Sequence, residues 1–332
     1  MRRRRKRKMR GALVPVNGSG LGERAAPPAI VLETGKAAAF AYAEFFGAEI
    51  ESPHTYRAYR HAVDRFLAWC AGRGVALNAI SPALLGEYIR KLSGSKPTKK
   101  LHLSALRRFF DQLVLRHVMV LNPAASVRAP RHSVVEGKTP ALSVEQARKL
   151  LASINTKHVV GLRDRAIIAT LIYTAARVGA VAKLRVQDYY PDGTQWWFRF
   201  DEKGGKARTI PARHDVEQYI EEYVNAAGIG NNADDTPLFR STVRKTKVLT
   251  MNALTANDIY RMVKRRLQDA ELPSRYLSCH SFRATAITDL LTQGVPLEDV
   301  QYLAGHSDPR TTRLYDRRQK QVTRNIVERI SV

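Results

Sequence analysis

The chain has 332 residues, enough for two domains, and carries 55 Lys and Arg against 30 Asp and Glu, for a formal net charge of +25. That excess goes beyond what solubility requires and predicts a polyanionic partner, nucleic acid before anionic membrane. The cysteines, Cys70 and Cys279, stand far apart, outside metal-ligand spacing, and no apolar run reaches the length of a bilayer span. A zinc site, a disulfide framework and a membrane protein are thereby excluded, and a soluble protein in a reducing compartment is expected.

Residues 1–10, MRRRRKRKMR, read as a disordered basic arm that tracks phosphates. Residues 11–30 mix Gly, Pro and Ala without period, so 1–36 are expected to form an arm and a flexible lead-in. From Ala37 the pattern turns helical. AAAFAYAEFFGAEI is followed by TYRAYRHAVDRFLAWCAGRG, where Tyr59, Val63, Phe66 and Leu67 share one stripe and Gly72 and Gly74 act as stop signals. Ser81 and Pro82 fit the N-cap and first position of a third helix that breaks at Gly94. A fourth runs through PTKKLHLSALRRFFDQLVLRH, with Leu101, Ala105, Phe109 and Leu113 expected to pack inward and Lys100, Arg107 and Arg108 off that stripe. Residues 37–121 thus predict a small helical bundle with a basic face.

Residues 122–137 bring prolines, a glycine and bases with no apolar period, the composition of a linker. In the remaining domain, 138–332, SVEQARKLLASI and LRDRAIIATLIYTAAR read as helices. WWFRFDEKGGKARTIPA then reads as a hairpin turning at Lys203, Gly204, Gly205 and Lys206. Helices return from Thr255. At the end Val322, Ile326, Val327 and Ile330 form a stripe that needs a groove, in its own domain or in a neighbouring protomer. The expected fold class is mainly α with a small β-sheet (α+β).

The chemistry lies near the C-terminus, where His280 and Arg283 in CHSFR, His306 in LAGHSD and Tyr315 in TTRLYDRR follow in order. A tyrosine hydroxyl is a weak nucleophile at neutral pH, so its use against a phosphodiester requires cationic and hydrogen-bonding groups around the phosphate. Arginine forks match two phosphate oxygens, and imidazoles can donate to non-bridging oxygens or relay the phenolic proton. Taken singly, an arginine in so basic a chain reads as surface charge and a histidine as an ordinary polar residue. Their ordered spacing is what favours function.

In domain order and motif order, over residues of roughly 37–330, the chain resembles the tyrosine recombinase, or phage integrase, family. The resemblance assigns a first arginine to Arg177 in YTAARVGAVAKL and the general acid to Lys203, with Lys206 as the alternative. It makes His280, Arg283 and His306 phosphate ligands and Tyr315, nine residues after His306, the nucleophile. It implies a 3′-phosphotyrosyl intermediate, a free 5′ hydroxyl, and rejoining without ATP, metal or any other cofactor. It further implies a helical core-binding (SAM-like) domain and a mixed α/β catalytic domain that clamp duplex DNA. Arg57, Arg60, Lys99, Lys100, Arg107 and Arg108 are the candidate DNA contacts. A homotetramer on two DNA sites, linked through the C-terminal helix, is implied as well, with a DNA-bending accessory protein as a further candidate partner. The implied location is the bacterial cytoplasm, at the nucleoid. One departure stands out: many relatives carry an acid three positions after the first arginine, where this chain has Ala180. Two other readings compete. LTQGVPLEDVQYLAGHSDPRTTRLY also fits a helix-turn-helix with turns at Gly294 and Gly305, as in a non-catalytic DNA-binding regulator. A type IB topoisomerase-like monomer would keep the chemistry and change the outcome.

Overall fold

The computed structural model describes residues 26–48, 50–131, 139–201, 207–230, 234–244 and 246–316. The basic arm, the turn bearing Lys203 and Lys206, and the stripe from Val322 to Ile330 lie outside the described residues. The chain divides into two compact units, Met1–Ser133 and Val134–Val332.

In the first unit, helices α1 (Ala29–Glu33), α2 (Lys36–Gly47), α3 (Pro53–Ala71), α4 (Pro82–Lys91) and α5 (Lys96–Leu115) surround an aromatic core. Phe45, Phe66, Phe109 and Phe110 are fully buried there. Ser81 caps α4, its hydroxyl accepting from the Leu84 amide at 3.3 Å with Pro82 in the first turn, and Ser95 does the same for α5. Three expectations are corrected. The lead-in is not wholly irregular, because Ile30 and Val31 of α1 are buried in this core. The expected linker begins too early, since Ala124 is fully buried and Val127 and Ala129 pack against the same core. Leu101 is 40% exposed, while Ala105, Phe109 and Leu113 face inward as expected. The inward place one residue on is taken by His102, which the Tyr88 hydroxyl satisfies at 3.2 Å, so a polar side chain hides the true stripe.

The second unit opens with α6 (Val144–Ser153), started by a capping box between Ser143 and Gln146. The next helix, α7 (Val159–Tyr173), is buried on nearly every side from Gly161 to Ile172, which explains its apolar run from Ala166 to Ile172 and takes Arg163 and Asp164 inside with it. There follow α8 (Val178–Val181) and a three-stranded antiparallel sheet, β1 (Tyr189–Asp192), β2 (Gln195–Asp201) and β3 (Ala207–Pro211). Phe198, Phe200 and Ile210 line its inner face, with Phe198 opposite Ile210 and Phe200 opposite Arg208. Helix α9 (His214–Ala227) packs on α7, and β4 (Arg240–Thr242) and β5 (Leu249–Ala253) form a separate hairpin. The unit continues with α10 (Ala256–Asp269), α11 (Cys279–Thr292), α12 (Leu297–Ala304) and α13 (Pro309–Arg313).

A buried ion cluster ties α7 to α10. Asp164, with no exposed surface, accepts from Arg163 at 2.7 Å on one oxygen and from Arg266 at 2.7 Å on the other. Removing the carboxylate leaves the Arg163 guanidinium buried without a counter-charge and Arg266 with only its 3.4 Å pair to Asp269, a change that costs about 3–5 kcal/mol. Asp164→Asn is therefore expected to lower the urea midpoint of this unit without changing the slope of the transition. An unchanged midpoint would show the cluster to be dispensable.

Among the described residues no helix is long and apolar enough to cross a membrane, and no group of three or more His, Cys, Asp and Glu is placed to hold a metal ion.

Candidate active site

The site is assembled by three turns of the second unit. After α7 the chain passes through Thr174, whose hydroxyl bonds back to the Thr170 carbonyl, and then Ala175 in the left-handed region at φ 49°. That turn aims the Ala175 carbonyl at Arg283 and starts α8 at Arg177. A capping box at Ser278 starts α11, which puts His280 and Arg283 on its first turns. The third turn ends α12: Gly305 adopts φ 62°, and the His306 amide reaches back to the Gln301 carbonyl at 3.1 Å. This wrap satisfies the helix terminus and projects His306 inward. Asp308 caps α13 through the Arg310 amide at 2.9 Å, and Tyr315 follows that helix directly.

Five of the six side chains expected to act together meet here. The Tyr315 hydroxyl lies 3.0 Å from His280 Nε2, and its ring stacks on His306 with centroids 5.9 Å apart and planes 11° apart. Arg283, 1% exposed, donates to the Ala175 and Ala304 carbonyls. Arg177 reaches the surface and donates to the Gly305 carbonyl at 3.4 Å. Ala180, where the family resemblance implies an acid, is buried in the core, and the Gly305 carbonyl is the acceptor that Arg177 meets here. Lys203, the sixth, lies outside the described residues.

Burial pushes the Tyr315 phenol above its ordinary value, against the pull of Arg283 and Arg177. The phenol therefore keeps its proton at neutral pH and needs an acceptor. Desolvation, then the charges of Arg283 and Arg177, hold His280 below its usual range, and its Nε2, 3.0 Å from the phenol oxygen, is placed to take that proton. Desolvation and the surrounding cations bring His306 down from 6.5 to about 3. A histidine lowered on folding binds fewer protons than in the unfolded chain. Its contribution to stability is thus complete above 6.5 and is lost as pH falls through the window from 6.5 to about 3. The DNA-free protein is expected to melt at progressively lower temperature across that window, and His306→Gln to flatten the dependence.

Thr312 was not singled out from the sequence. It is fully buried, and its hydroxyl lies 2.9 Å from His306 Nδ1, which holds the orientation of the ring. Thr288 on α11 similarly donates to the Tyr315 carbonyl at 3.2 Å and holds the tyrosine backbone. The signal available for Thr312 was its helical spacing, three residues ahead of Tyr315.

The six expected DNA contacts of the first unit do not share one environment. Arg57, Lys100 and Arg108 are exposed. Arg60 is committed to the fold, pairing with Asp64 at 2.6 Å and lying over the Tyr42 and Phe46 rings. Arg107 donates to the Ala124 and Val127 carbonyls, and Lys99 to the Arg90 carbonyl at 2.8 Å. The guanidinium groups of Arg60 and Arg107 and the ammonium of Lys99 thus each bond a group inside the unit. If exposed bases meet phosphates, Lys100→Ala and Arg108→Ala should each lower the salt slope of DNA binding by about 1. Arg60→Met should leave the slope alone and lower the melting temperature.

A mainly helical two-unit chain with a tyrosine among arginines and histidines defines a class, the tyrosine recombinases. Residues 140–322 match the phage integrase family and residues 41–117 match the phage integrase N-terminal SAM-like domain. The chain belongs to the phage integrase family. It is 30% identical over 268 residues to tyrosine recombinase XerD of Vibrio cholerae, covering 79% of this chain and 85% of that one. It is 29% identical over 274 residues to tyrosine recombinase XerC of Pelobacter propionicus, covering 80% and 84%. Among solved structures, XerH bound to its palindromic difH substrate in a post-cleavage complex superimposes with a TM-score of 0.64 at 22% identity, covering 78% of this chain and 75% of that one. A lambda integrase dimer bound to a COC′ core site gives 0.61 at 18% identity, covering 85% and 77%.

Proposed function

We propose that this protein is a site-specific DNA recombinase that cleaves and rejoins double-stranded DNA through a 3′-phosphotyrosyl bond on Tyr315. The observation that carries this reading is the Tyr315 phenol held 3.0 Å from the His280 imidazole, stacked on His306 and beside two arginines. In the reaction the Tyr315 oxygen attacks the scissile phosphorus and its proton passes to His280. Arg283 and Arg177 offset the charge that develops on the non-bridging oxygens, and His306 donates to one of them. The O5′ bond breaks, and the 5′ oxygen leaves as a hydroxyl after protonation by Lys203 or Lys206. Attack by a 5′ hydroxyl reverses the steps and releases the tyrosine, so the bond energy is conserved. The net charge of +25 suits the duplex substrate.

Relatives solved on DNA, among them a lambda integrase tetramer on a Holliday junction, support a tetramer acting on two sites. A DNA-bending accessory protein and a place at the bacterial nucleoid belong to the same proposal. The regulator reading is not favoured: the turns at Gly294 and Gly305 exist, but α11 before the first carries His280 and Arg283, and His306 stands in the second, directly after Gly305. Incubating the protein with nicked duplexes drawn from the DNA flanking its gene tests the proposal. A covalent adduct on the 3′ side, with strand exchange between two sites, is expected. Supercoil relaxation without exchange would support a topoisomerase instead, and the absence of adduct on every duplex would remove the chemistry.

A further inference from the structure

Three guanidinium groups converge on three consecutive carbonyls. Arg208 on β3 donates to Leu303, Arg283 on α11 to Ala304, and Arg177 at the head of α8 to Gly305. These carbonyls end α12, where backbone acceptors lack intrahelical donors and the helix dipole is negative. Two of the arginines face the tyrosine, and the third has no role in the reaction described above. Arg208 is 7% exposed and sits on the inward face of β3 with Ile210, its guanidinium 5.5 Å from the centre of the Phe200 ring. Burying an arginine on the inner face of a strand is costly unless the charge is used.

We propose that Arg208 is a positioning residue of the active site: by holding the Leu303 carbonyl it fixes the end of α12, from which Ala304 and Gly305 orient Arg283 and Arg177 and from which His306 projects. The inference rests on the tyrosine nucleophile proposed above. A lysine has one compact charge and no planar fork, so Arg208→Lys keeps the cation and loses part of the directionality, whereas Arg208→Met keeps the stem and loses both. The groups that face the His306 ring are Arg283 and His280 on α11, Arg177 at α8, Arg208 on β3, Thr312 on α13 and the Tyr315 ring after it.

The test combines two readouts that a merely structural role would not move. The first is the titration of His306 by proton NMR in the full-length, DNA-free protein. Arg208→Met is expected to raise the His306 midpoint by about one unit as a neighbouring cation is removed and α12 loosens, and Arg208→Lys to fall between it and the native protein. The second is single-turnover cleavage of the nicked duplex at a temperature where all variants are folded. The rate is expected to drop by about 10- to 100-fold in Arg208→Met with unchanged DNA affinity, and to recover in part in Arg208→Lys. A lower melting temperature with native His306 titration and native cleavage rate would overturn the proposal. Should the methionine variant fail to fold, Arg208→Lys carries both measurements, and native values in it would also overturn the proposal. If the native protein forms no adduct, the nucleophile reading fails, and the His306 titration still decides whether Arg208 holds α12.

Discussion

Tyr315→Phe is expected to abolish the covalent protein–DNA adduct while leaving DNA binding intact. The substitution removes one oxygen and keeps the ring, which stacks on His306 and lies in the small apolar cluster formed with Ile287, Leu291 and Val300. Packing is therefore retained, and the lost bond to His280 leaves an imidazole that reaches solvent. Because no other group takes over attack at the phosphorus, adduct should fall below detection rather than to a reduced level. Gel shift measures binding and denaturing electrophoresis measures adduct on the same duplex. An adduct yield equal to the native one would remove Tyr315 from the reaction.

Arg283→Gln is the second large effect. The native side chain is almost wholly buried, spans the Ala175 and Ala304 carbonyls and faces the phenol. Glutamine can donate to only one of those carbonyls and carries no charge for the phosphate. The transition state then loses a permanent cation in a desolvated place, a loss on the order of 10³-fold or more in cleavage rate, by analogy with arginines that stabilise phosphoryl transfer. Two further consequences follow from the same charge. Arg283 is among the causes that lower His306 and His280, so both should titrate closer to 6.5 in the variant. A rate within threefold of native would mean that Arg177 alone supplies the phosphate charge.

How much of this was legible in the sequence depended on whether the signal was local. The helix start at Ser81 was written in its cap residue, and the hairpin strands in aromatic and β-branched residues around a glycine turn. Helix α1 escaped because five residues are too few for a period, although Ile30 and Val31 anchor it. The stripe on α5 was misplaced at Leu101 because the buried position belongs to a histidine whose partner, Tyr88, lies on another helix. The intra-unit partners of Arg60 and Arg107 were hidden because a guanidinium does not announce its acceptor: Asp64 is one turn away, but the Ala124 and Val127 carbonyls are remote in sequence.

The candidate site divides along the same line. His280, Arg283, His306 and Tyr315 were readable from order and spacing, and Arg177 from the family resemblance. The groups that hold them were not, because they are backbone carbonyls at Ala175, Ala304 and Gly305 and a hydroxyl at Thr312. Carbonyls have no sequence signature. Arg208 did leave one, as a charged residue sharing the inward face of its strand with Ile210. Ala180 looked like a defect beside Arg177 as long as only side chains were counted, and the carbonyl of Gly305 supplies a contact there.

The covalent bond itself is the central claim, and its position can be read directly. Native protein trapped on a nicked duplex labelled at the 5′ end of the cleaved strand is digested with protease and nuclease, and the peptide that retains a nucleotide is sequenced by mass spectrometry. The account predicts a single modified peptide with the phosphate joined to Tyr315 and to the 3′ end of the cleaved strand. A nucleotide on any other residue, or a link to the 5′ end, would contradict it.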